Sequence, residues 1–216
     1  LWQRRLVEQA DAVIIPSAFA GERLRELGAP LPSERLHVLA PPVRLVGAAS
    51  ASASASGASG ASDGSYALVV SRLAPEKGVD VAIDACRIAG LPLVVAGDGP
   101  EREALRERAR DADVRFVGRV DDAELARLRA GAAIALAPSR SAETFGLAAA
   151  EAMAMGLPVA ASRVGALPEL VDEEGLVPAG DAEALAAAIT RLAGDREAGE
   201  RGSERVGAMC APEAVS

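Results

Sequence analysis

The chain has 216 residues, half of them hydrophobic, and a formal net charge of −8. This composition excludes a disordered chain, and no apolar run reaches the roughly 18 residues that a membrane-spanning helix needs. The basic residues are scattered among acidic ones, which argues against a nucleic-acid binder, although a small anionic ligand needs only one local positive site.

The first 46 residues are interpreted as the remnant of a preceding domain, because two short strands and two helices cannot close a core alone. The chain begins at Leu1 rather than Met, so we expect a piece excised from a longer protein. No basic stretch followed by an apolar one at its start predicts a signal segment. The elements predicted here are a helix over Trp2–Ala10, a buried strand followed by a helix start over 11–17, a helix over Ala20–Leu27 that Gly28 ends, and a strand over Leu36–Ala40. Residues 47–65 are almost entirely Ala, Ser and Gly, which predicts a flexible linker or loop.

From Tyr66 onward, short apolar strands alternate with helices. The predicted strands are Ala67–Ser71, Leu93–Ala96, Val114–Val117, Ile134–Ala137, Val159–Ser162 and Leu176–Val177. The predicted helices are Val79–Ala89, Glu101–Arg110, Asp122–Ala130, Gly146–Met155, Leu167–Val171, Ala182–Leu192 and Arg196–Met209. This alternation indicates a doubly wound parallel α/β sheet, which binds ligands beyond the carboxyl ends of its strands. We assign residues 66–194 to this Rossmann-like domain and 195–216 to a C-terminal helix and tail.

Few residues offer metal or nucleophile chemistry. Cys86 and Cys210 lack metal-ligand spacing, so small buried thiols and a reducing, cytoplasmic location are expected. The only histidine, His37, lies in an apolar stretch and is interpreted as a satisfied strand residue rather than a catalyst. Asp98 and Asp113 do not converge on a recognisable ligand set, so no metal is predicted.

The loop after the first strand of the sheet carries Arg72 and Lys77, the latter the only lysine among 23 basic residues. A planar guanidinium fork and a compact ammonium on one loop suit a diphosphate. A solvated surface loop is the alternative, since exposed basic side chains are common.

Two later turns give weaker signals. Gly97-Asp98-Gly99-Pro100 lacks the third glycine of a dinucleotide fingerprint, and a purely structural turn is at least as good an explanation. The turn over Gly118–Val120 could offer backbone groups to the edge of a base.

The segment from Pro138 to Met153 gives the strongest signal. Glu143 precedes a predicted helix whose first turn contains Gly146 and Leu147, and free N–H groups at such a turn favour an anion. Glu151 follows eight residues after Glu143, among apolar neighbours that make an unpaired acid costly. Ribose hydroxyls would be suitable partners, and an ordinary helix-face charge is the alternative.

Five separated motifs agree with one family over residues 66–193. They read SRLAPEKG, AGDGPE, VRFVGRV, APS…ETFG…EAMAMGLPVAAS and VGALPELV, and Glu143 and Glu151 form an E-x7-E pair. The chain resembles glycosyltransferase family four, the retaining group 1 glycosyl transferases, which have two Rossmann-like domains in the GT-B architecture. The resemblance implies that the chain supplies the nucleotide-sugar-binding domain and that residues 1–46 end the N-terminal acceptor domain.

The resemblance also implies residue roles. Arg72 and Lys77 would bind the donor diphosphate and stabilise the departing charge, and Glu143 would contact the sugar hydroxyls; these are the expected catalytic residues. The expected substrate-binding residues are Arg119 and Val120 near the base, Phe145 in the ETFG motif, Gly146 and Leu147 at the phosphate, and Glu151 at the ribose.

The expected donor is a UDP- or GDP-type nucleotide sugar, with no metal or other cofactor. A glycan, lipid or small-molecule acceptor would bind through the missing domain, and the full-length protein would be cytoplasmic or peripheral at the membrane. This piece alone would bind nucleotide weakly and transfer sugar poorly or not at all. A non-catalytic nucleotide-binding or interaction module is the alternative, and an NAD-type oxidoreductase is disfavoured by the incomplete glycine fingerprint.

Overall fold

The computed structural model describes residues 9–43 and 64–210. In these ranges the strands are β1 (Val13–Ile15), β2 (Leu36–Val38), β3 (Ala67–Val70), β4 (Leu93–Ala96), β5 (Val114–Gly118), β6 (Ile134–Ala137), β7 (Val159–Ser162) and β8 (Leu176–Val177). The α-helices are α1 (Ala18–Glu26), α2 (Val79–Ala89), α3 (Arg102–Arg108), α4 (Asp122–Ala130), α5 (Leu147–Ala154), α6 (Leu167–Leu170), α7 (Ala182–Leu192) and α8 (Arg196–Cys210).

Within residues 64–210, six parallel strands form one sheet in the order β5-β4-β3-β6-β7-β8. The chain runs from β3 outward through β4 to β5, then returns to the other side of β3 for β6 and continues to β8. The strand order therefore reverses between β3 and β6, and such a reversal opens a crevice at the carboxyl ends of the two strands. The predicted fold class, a doubly wound parallel α/β sheet, is confirmed.

Helices cover both faces of this sheet. On one face, α2, α3 and α7 pack in an apolar cluster that contains Ile83 and Val69. On the other face, α4, α5 and α8 pack in a second cluster that contains Leu68 and Val206. Successive residues of β3 thus enter opposite clusters, as the two-residue period of a strand requires. Full burial of each such aliphatic side chain stabilises the fold by about 1.5–3 kcal/mol.

In the described segment 9–43, β1 and β2 pair in parallel, with Val13 opposite Leu36. The prediction of a buried first strand was wrong in part: Ile15 is 3% exposed, but Ile14 is 64% exposed. A two-stranded sheet that is covered on one face leaves alternate residues in solvent. His37 lies in β2 as predicted and is exposed.

Several boundaries differ from the predicted ones. Helix α5 begins at Leu147, because Gly146 takes a left-handed conformation (φ 95°) and forms the N-cap. Helix α3 is shorter than predicted at both ends. The predicted helix over Trp2–Ala10 falls almost wholly outside the described residues, as do residues 47–63 of the predicted linker and 211–216 of the tail.

Both cysteines are buried, as predicted. Burial raises the pKa of the Cys86 thiol to about 12. A buried thiol with a raised pKa is unreactive, which is consistent with a structural role for Cys86.

Candidate functional site

A cavity of about 330 Å³ lies at the carboxyl ends of β3 and β6, where the strand order reverses. We call it the switch-point cavity. The predicted site residues that line it are Arg72, Lys77, Glu143, Gly146, Leu147 and Glu151. Its volume falls within the range of about 300–1,000 Å³ that is usual for small-molecule sites. The topology of the sheet therefore brings together residues that are far apart in the sequence.

Lys77 and Glu143 form the polar centre of this cavity. Lys77 Nζ lies 2.7 Å from Glu143 Oε1, and Ser139 Oγ donates a hydrogen bond to the same oxygen at 2.6 Å. The Lys77 and Glu143 side chains are 29% and 22% exposed, so solvent screens the pair only partly. Each charge therefore fixes the position of the other. Ser139 was not predicted as a site residue; its position four residues before Glu143, directly after β6, was the available signal.

Arg72 stands at the open rim of the switch-point cavity. Its side chain is 63% exposed and forms an ion pair with Glu76. The backbone N–H of Glu76 and then the Arg72 guanidinium hold the pKa of the Glu76 carboxyl below its usual value. Because a guanidinium carries five N–H donors, Arg72 can keep this partner and still bind an anion.

Arg140 joins the two loops that carry Lys77 and Glu143. Its backbone N–H donates to the Glu76 carbonyl at 2.8 Å. Its guanidinium binds Asp80, near the start of α2, through two hydrogen bonds of 2.5 and 2.6 Å. This bidentate pair holds the loop after β3 against the loop after β6, and so supports the contact between Lys77 and Glu143.

Substitution Asp80→Asn is expected to lower the free energy of unfolding by about 1 kcal/mol at pH 7, because it removes a half-exposed bidentate pair. Hydrogen bonds from Arg140 hold the pKa of Asp80 below its usual value. A lowered folded-state pKa gives stability that is present above the unfolded pKa, near pH 4, and is lost as pH falls through the folded value. Urea unfolding between pH 2.5 and 7 should therefore show a shallower acid decline in the variant. Identical profiles would show that solvent screens the pair completely.

The N-terminus of α5 faces the switch-point cavity, which is lined by Gly146, Leu147, Ala148 and Ala149. The first hydrogen bond of the helix runs from the Ala150 N–H to the Gly146 carbonyl at 3.0 Å. The N–H groups of the preceding three residues are therefore outside the helical ladder. In the described structure no side chain caps this end, and its first turn contains no acid. Such an end favours a phosphate through its N–H groups and its dipole.

Substitution Gly146→Ala is expected to lower the free energy of unfolding. An added Cβ would lie 2.6 Å from Cδ2 of Leu167, a side chain with 0% exposure, so α5 or the core must shift. Gly156→Ala is the matched control, because Gly156 has a similar φ of 75° with nothing within 4 Å of an added Cβ. Both variants carry about 1–2 kcal/mol of backbone strain, and Gly146→Ala should lose about 1–3 kcal/mol more through the clash. Equal losses in chemical denaturation would contradict this account.

Glu151 forms an ion pair with Arg129 of α4. The Arg129 side chain is 10% exposed and that of Glu151 is 36% exposed, so the pair is half-buried rather than free on a helix surface. Glu151 and Arg129 also line a second cavity of about 580 Å³, together with Pro42 and Val43. Arg129 was not predicted, because sequence spacing alone does not show that α4 packs beside α5. Its Nε is buried without a hydrogen-bond partner within residues 9–43 and 64–210.

Arg119, Val120 and Phe145 are not among the described residues that line the switch-point cavity. Arg119 is exposed after β5, and Val120 packs against an apolar cluster. The Phe145 side chain is 5% exposed and lies in the core, which leaves only its backbone for a ligand. Their contacts with a substrate stay predictions.

The Gly97-Asp98-Gly99-Pro100 turn packs against the loop of Arg72. The Leu73 N–H donates to the Asp98 carbonyl at 3.0 Å, and the Glu101 N–H donates to the Leu73 carbonyl at 3.0 Å. These bonds favour a structural role for the turn, in which it supports the loop that carries the cations.

Comparison with known families decides the class of this domain. A sequence model described as "Glycosyl transferases group 1" matches residues 64–195. The chain belongs to this family. The matched residues extend from just before β3 to the end of α7 and include every residue that lines the switch-point cavity. The resemblance drawn from the five motifs is therefore confirmed for the family.

Proteins similar to this chain are named for different activities and ligands. Over 128 residues the chain is 40% identical to the GDP-mannose-dependent alpha-(1-6)-phosphatidylinositol dimannoside mannosyltransferase of Mycobacterium tuberculosis, a match to 56% of this chain and 33% of that protein. Sucrose-phosphate synthase of Thermosynechococcus elongatus superposes with a TM-score of 0.79 at 33% identity, over 98% of this chain and 57% of that one. Alr3699/HepE of Anabaena, solved in complex with UDP and glucose, shares the fold: its TM-score is 0.73 at 21% identity, over 95% of this chain and 62% of that one. The chain thus spans about a third of the curated relative's length.

Two further findings concern metals and membranes in residues 9–43 and 64–210. No three His, Cys, Asp or Glu side chains there cluster closely enough to hold a metal ion. Among the helices of the same ranges, none combines the length and hydrophobicity that crossing a bilayer requires.

Proposed function

We propose that this chain is the donor-binding half of a retaining glycosyltransferase, which moves a sugar from a UDP- or GDP-type donor to an acceptor. The observation that carries the proposal is the Lys77–Glu143 contact of 2.7 Å in the switch-point cavity, beside the N-terminus of α5. A nucleotide sugar presents a diphosphate next to a polyhydroxyl ring. The cavity presents cations and free N–H groups next to a carboxylate, which are the complementary groups.

The chemistry follows from where charge develops. In the transfer, the bond between the anomeric carbon and the β-phosphate oxygen breaks, and its electron pair leaves on the diphosphate. An acceptor hydroxyl oxygen forms the new bond to that carbon, and its proton passes to the departing diphosphate. Lys77, Arg72 and the first N–H groups of α5 would stabilise the diphosphate as its charge increases, because they are preorganised around one cavity. Glu143 would hold the sugar hydroxyls, and Glu151 the ribose.

Retention of the anomeric configuration rests on the E-x7-E pair of Glu143 and Glu151 and its resemblance to family four. The test is the anomeric configuration of the glycosidic bond that the full-length protein forms, read by proton NMR and compared with that of the donor. An inverted product would contradict the proposal. We also propose that no metal takes part, so transfer should persist in excess EDTA.

Donor binding can be tested on the chain itself by calorimetric titration with UDP, GDP, UDP-glucose, GDP-mannose and NAD. We expect one of the two nucleotide classes to bind with a Kd of about 1 mM or tighter, the range of ordinary enzyme substrates. NAD should not bind, because its fingerprint is incomplete. Binding of NAD alone would favour an oxidoreductase instead.

A non-catalytic interaction module is the second candidate, and the intact set of Arg72, Lys77, Glu143 and Glu151 argues against it. Failure of every nucleotide to bind would favour this module. The acceptor, whether a glycan, a lipid or a small molecule, would bind through a preceding domain of the longer protein. Efficient transfer by the 216-residue chain alone would contradict the assignment of half a site.

A further inference from the structure

The segment before the sheet domain reaches the site through Ser17. Ser17 is the N-cap of α1, and its Oγ accepts a hydrogen bond from the Ala20 N–H at 3.0 Å. The same Oγ donates to the carbonyl of Thr144 at 2.6 Å, across 127 positions of the chain. Ser17 is 3% exposed, and loss of its hydroxyl would remove this hydrogen bond from the Thr144 carbonyl. One side chain thus caps a helix and binds the residue that follows Glu143.

Glu169 makes a second connection to the same helix end. Its two carboxylate oxygens accept hydrogen bonds from the Ala18 N–H at 3.0 Å and the Phe19 N–H at 2.7 Å. These donors belong to the first turn of α1, where a negative charge is favoured by the helix dipole. Glu169 lies in α6, so the start of α1 is bound both by α6 and by the loop that carries Glu143 and Thr144.

The loop of Glu143 is therefore held from two sides. On one side, the Ala166 N–H, just before α6, donates to the Glu143 carbonyl at 2.8 Å. Gly165 approaches so closely that an added Cβ would lie 2.3 Å from the same carbonyl oxygen. On the other side, Ser17 binds the carbonyl of Thr144. The Glu143 side chain belongs to the residue that carries the first of these two carbonyls, so the contacts hold the backbone from which it projects.

We propose that Ser17 and Glu169 are positioning residues for the sugar-binding carboxylate of Glu143, and that docking of α1 sets the conformation of the 143–146 loop. The inference rests on the proposed function for its sugar-binding part. Neither side chain lines the switch-point cavity among the described residues, so each acts through the backbone of the loop. The predicted signature is a loss of sugar recognition with nucleotide recognition intact.

The first test needs no ligand. Hydrogen–deuterium exchange of peptide 142–147 should become about tenfold faster in Ser17→Ala, the effect of losing one part-buried hydrogen bond. Ser17→Thr keeps both the donor and the acceptor and should restore slow exchange. Asp181→Ala is the matched control, because Asp181 caps α7 by accepting from the Ala184 N–H at 2.8 Å and has no bond to the loop. Unchanged exchange in peptide 142–147 of Ser17→Ala overturns the inference.

The second test compares a nucleotide sugar with its bare nucleotide in the same titration. The sugar's contribution is the ratio of the Kd of the bare nucleotide to the Kd of the nucleotide sugar. Ser17→Ala and Glu169→Gln should each lower this ratio several-fold and leave the Kd of UDP or GDP unchanged. Equal weakening for both ligands would overturn the positioning role and indicate a general loss of structure. If the unaltered chain binds no nucleotide while Ser17→Ala still loosens the loop, the proposed function fails and the coupling of α1 to the loop stands.

Discussion

Replacement of Lys77 by alanine should lower the kcat/KM of sugar transfer in the full-length protein by about 10²- to 10³-fold, the usual cost of removing one preorganised charge stabiliser. In the 216-residue chain the same change should weaken the binding of both the nucleotide and the nucleotide sugar. The reason is geometric: Lys77 lines the switch-point cavity, where its Nζ lies 2.7 Å from Glu143 Oε1 and supplies a compact positive charge. Lys77→Arg should recover only part of the loss, since a guanidinium fork has a different shape.

Arg87→Ala is the matched control for Lys77→Ala. Arg87 forms an ion pair with Asp84 at 2.9 Å, and it does not line the switch-point cavity among the described residues. The control removes one cation from one ion pair, so it matches the change in net charge and should leave donor binding unaltered. If both variants lose donor affinity equally, the effect belongs to net charge and the role of Lys77 is refuted.

Replacement of Glu143 by glutamine should separate sugar recognition from nucleotide recognition. Transfer should fall by about 10²-fold or more, because the carboxylate that would contact the sugar hydroxyls becomes a neutral amide. Affinity for UDP or GDP alone should be unchanged or higher, because in the ligand-free structure Glu143 neutralises Lys77 at 2.7 Å and the amide would release that charge. Steady-state kinetics of the full-length protein and calorimetry of the chain read the two effects independently.

Asp84→Asn is the matched control for the Glu143 variant. The Asp84 side chain is 16% exposed, close to the 22% of Glu143, and it pairs with Arg87 and Arg108 away from the cavity. Its loss should reduce stability and leave transfer intact. Normal turnover of the Glu143→Gln protein would falsify the assigned role. If that protein also loses as much stability as Asp84→Asn, the ion pair of Glu143 is structural only.

The sequence was sufficient for the elements and their order. Helices α4 and α7 have the predicted bounds, because Asp121 and Asp181 cap them; α7 also carries a continuous apolar face. The alternation of strands and helices predicted the parallel sheet. Each element could be predicted from the hydrophobic periodicity of its own residues, without knowledge of what it packs against. Arg72, Lys77, Glu143 and Glu151 could be singled out by position, because they follow strand ends that a doubly wound sheet brings to one edge.

The tertiary structure alone decided which side chains meet. Ser139 joins Glu143, Arg129 joins Glu151, and Ser17 reaches Thr144 across 127 positions. Phe145 lies in the ETFG motif with Glu143 and Thr144, yet its side chain is buried in the core. The sequence by itself determined the sheet, its helices and the sheet edge at which the candidate site residues lie, because these depend on local periodicity. The pairing of charges, and the dependence of the Glu143 loop on a helix from the preceding segment, depend on packing between distant elements, which only the folded chain specifies.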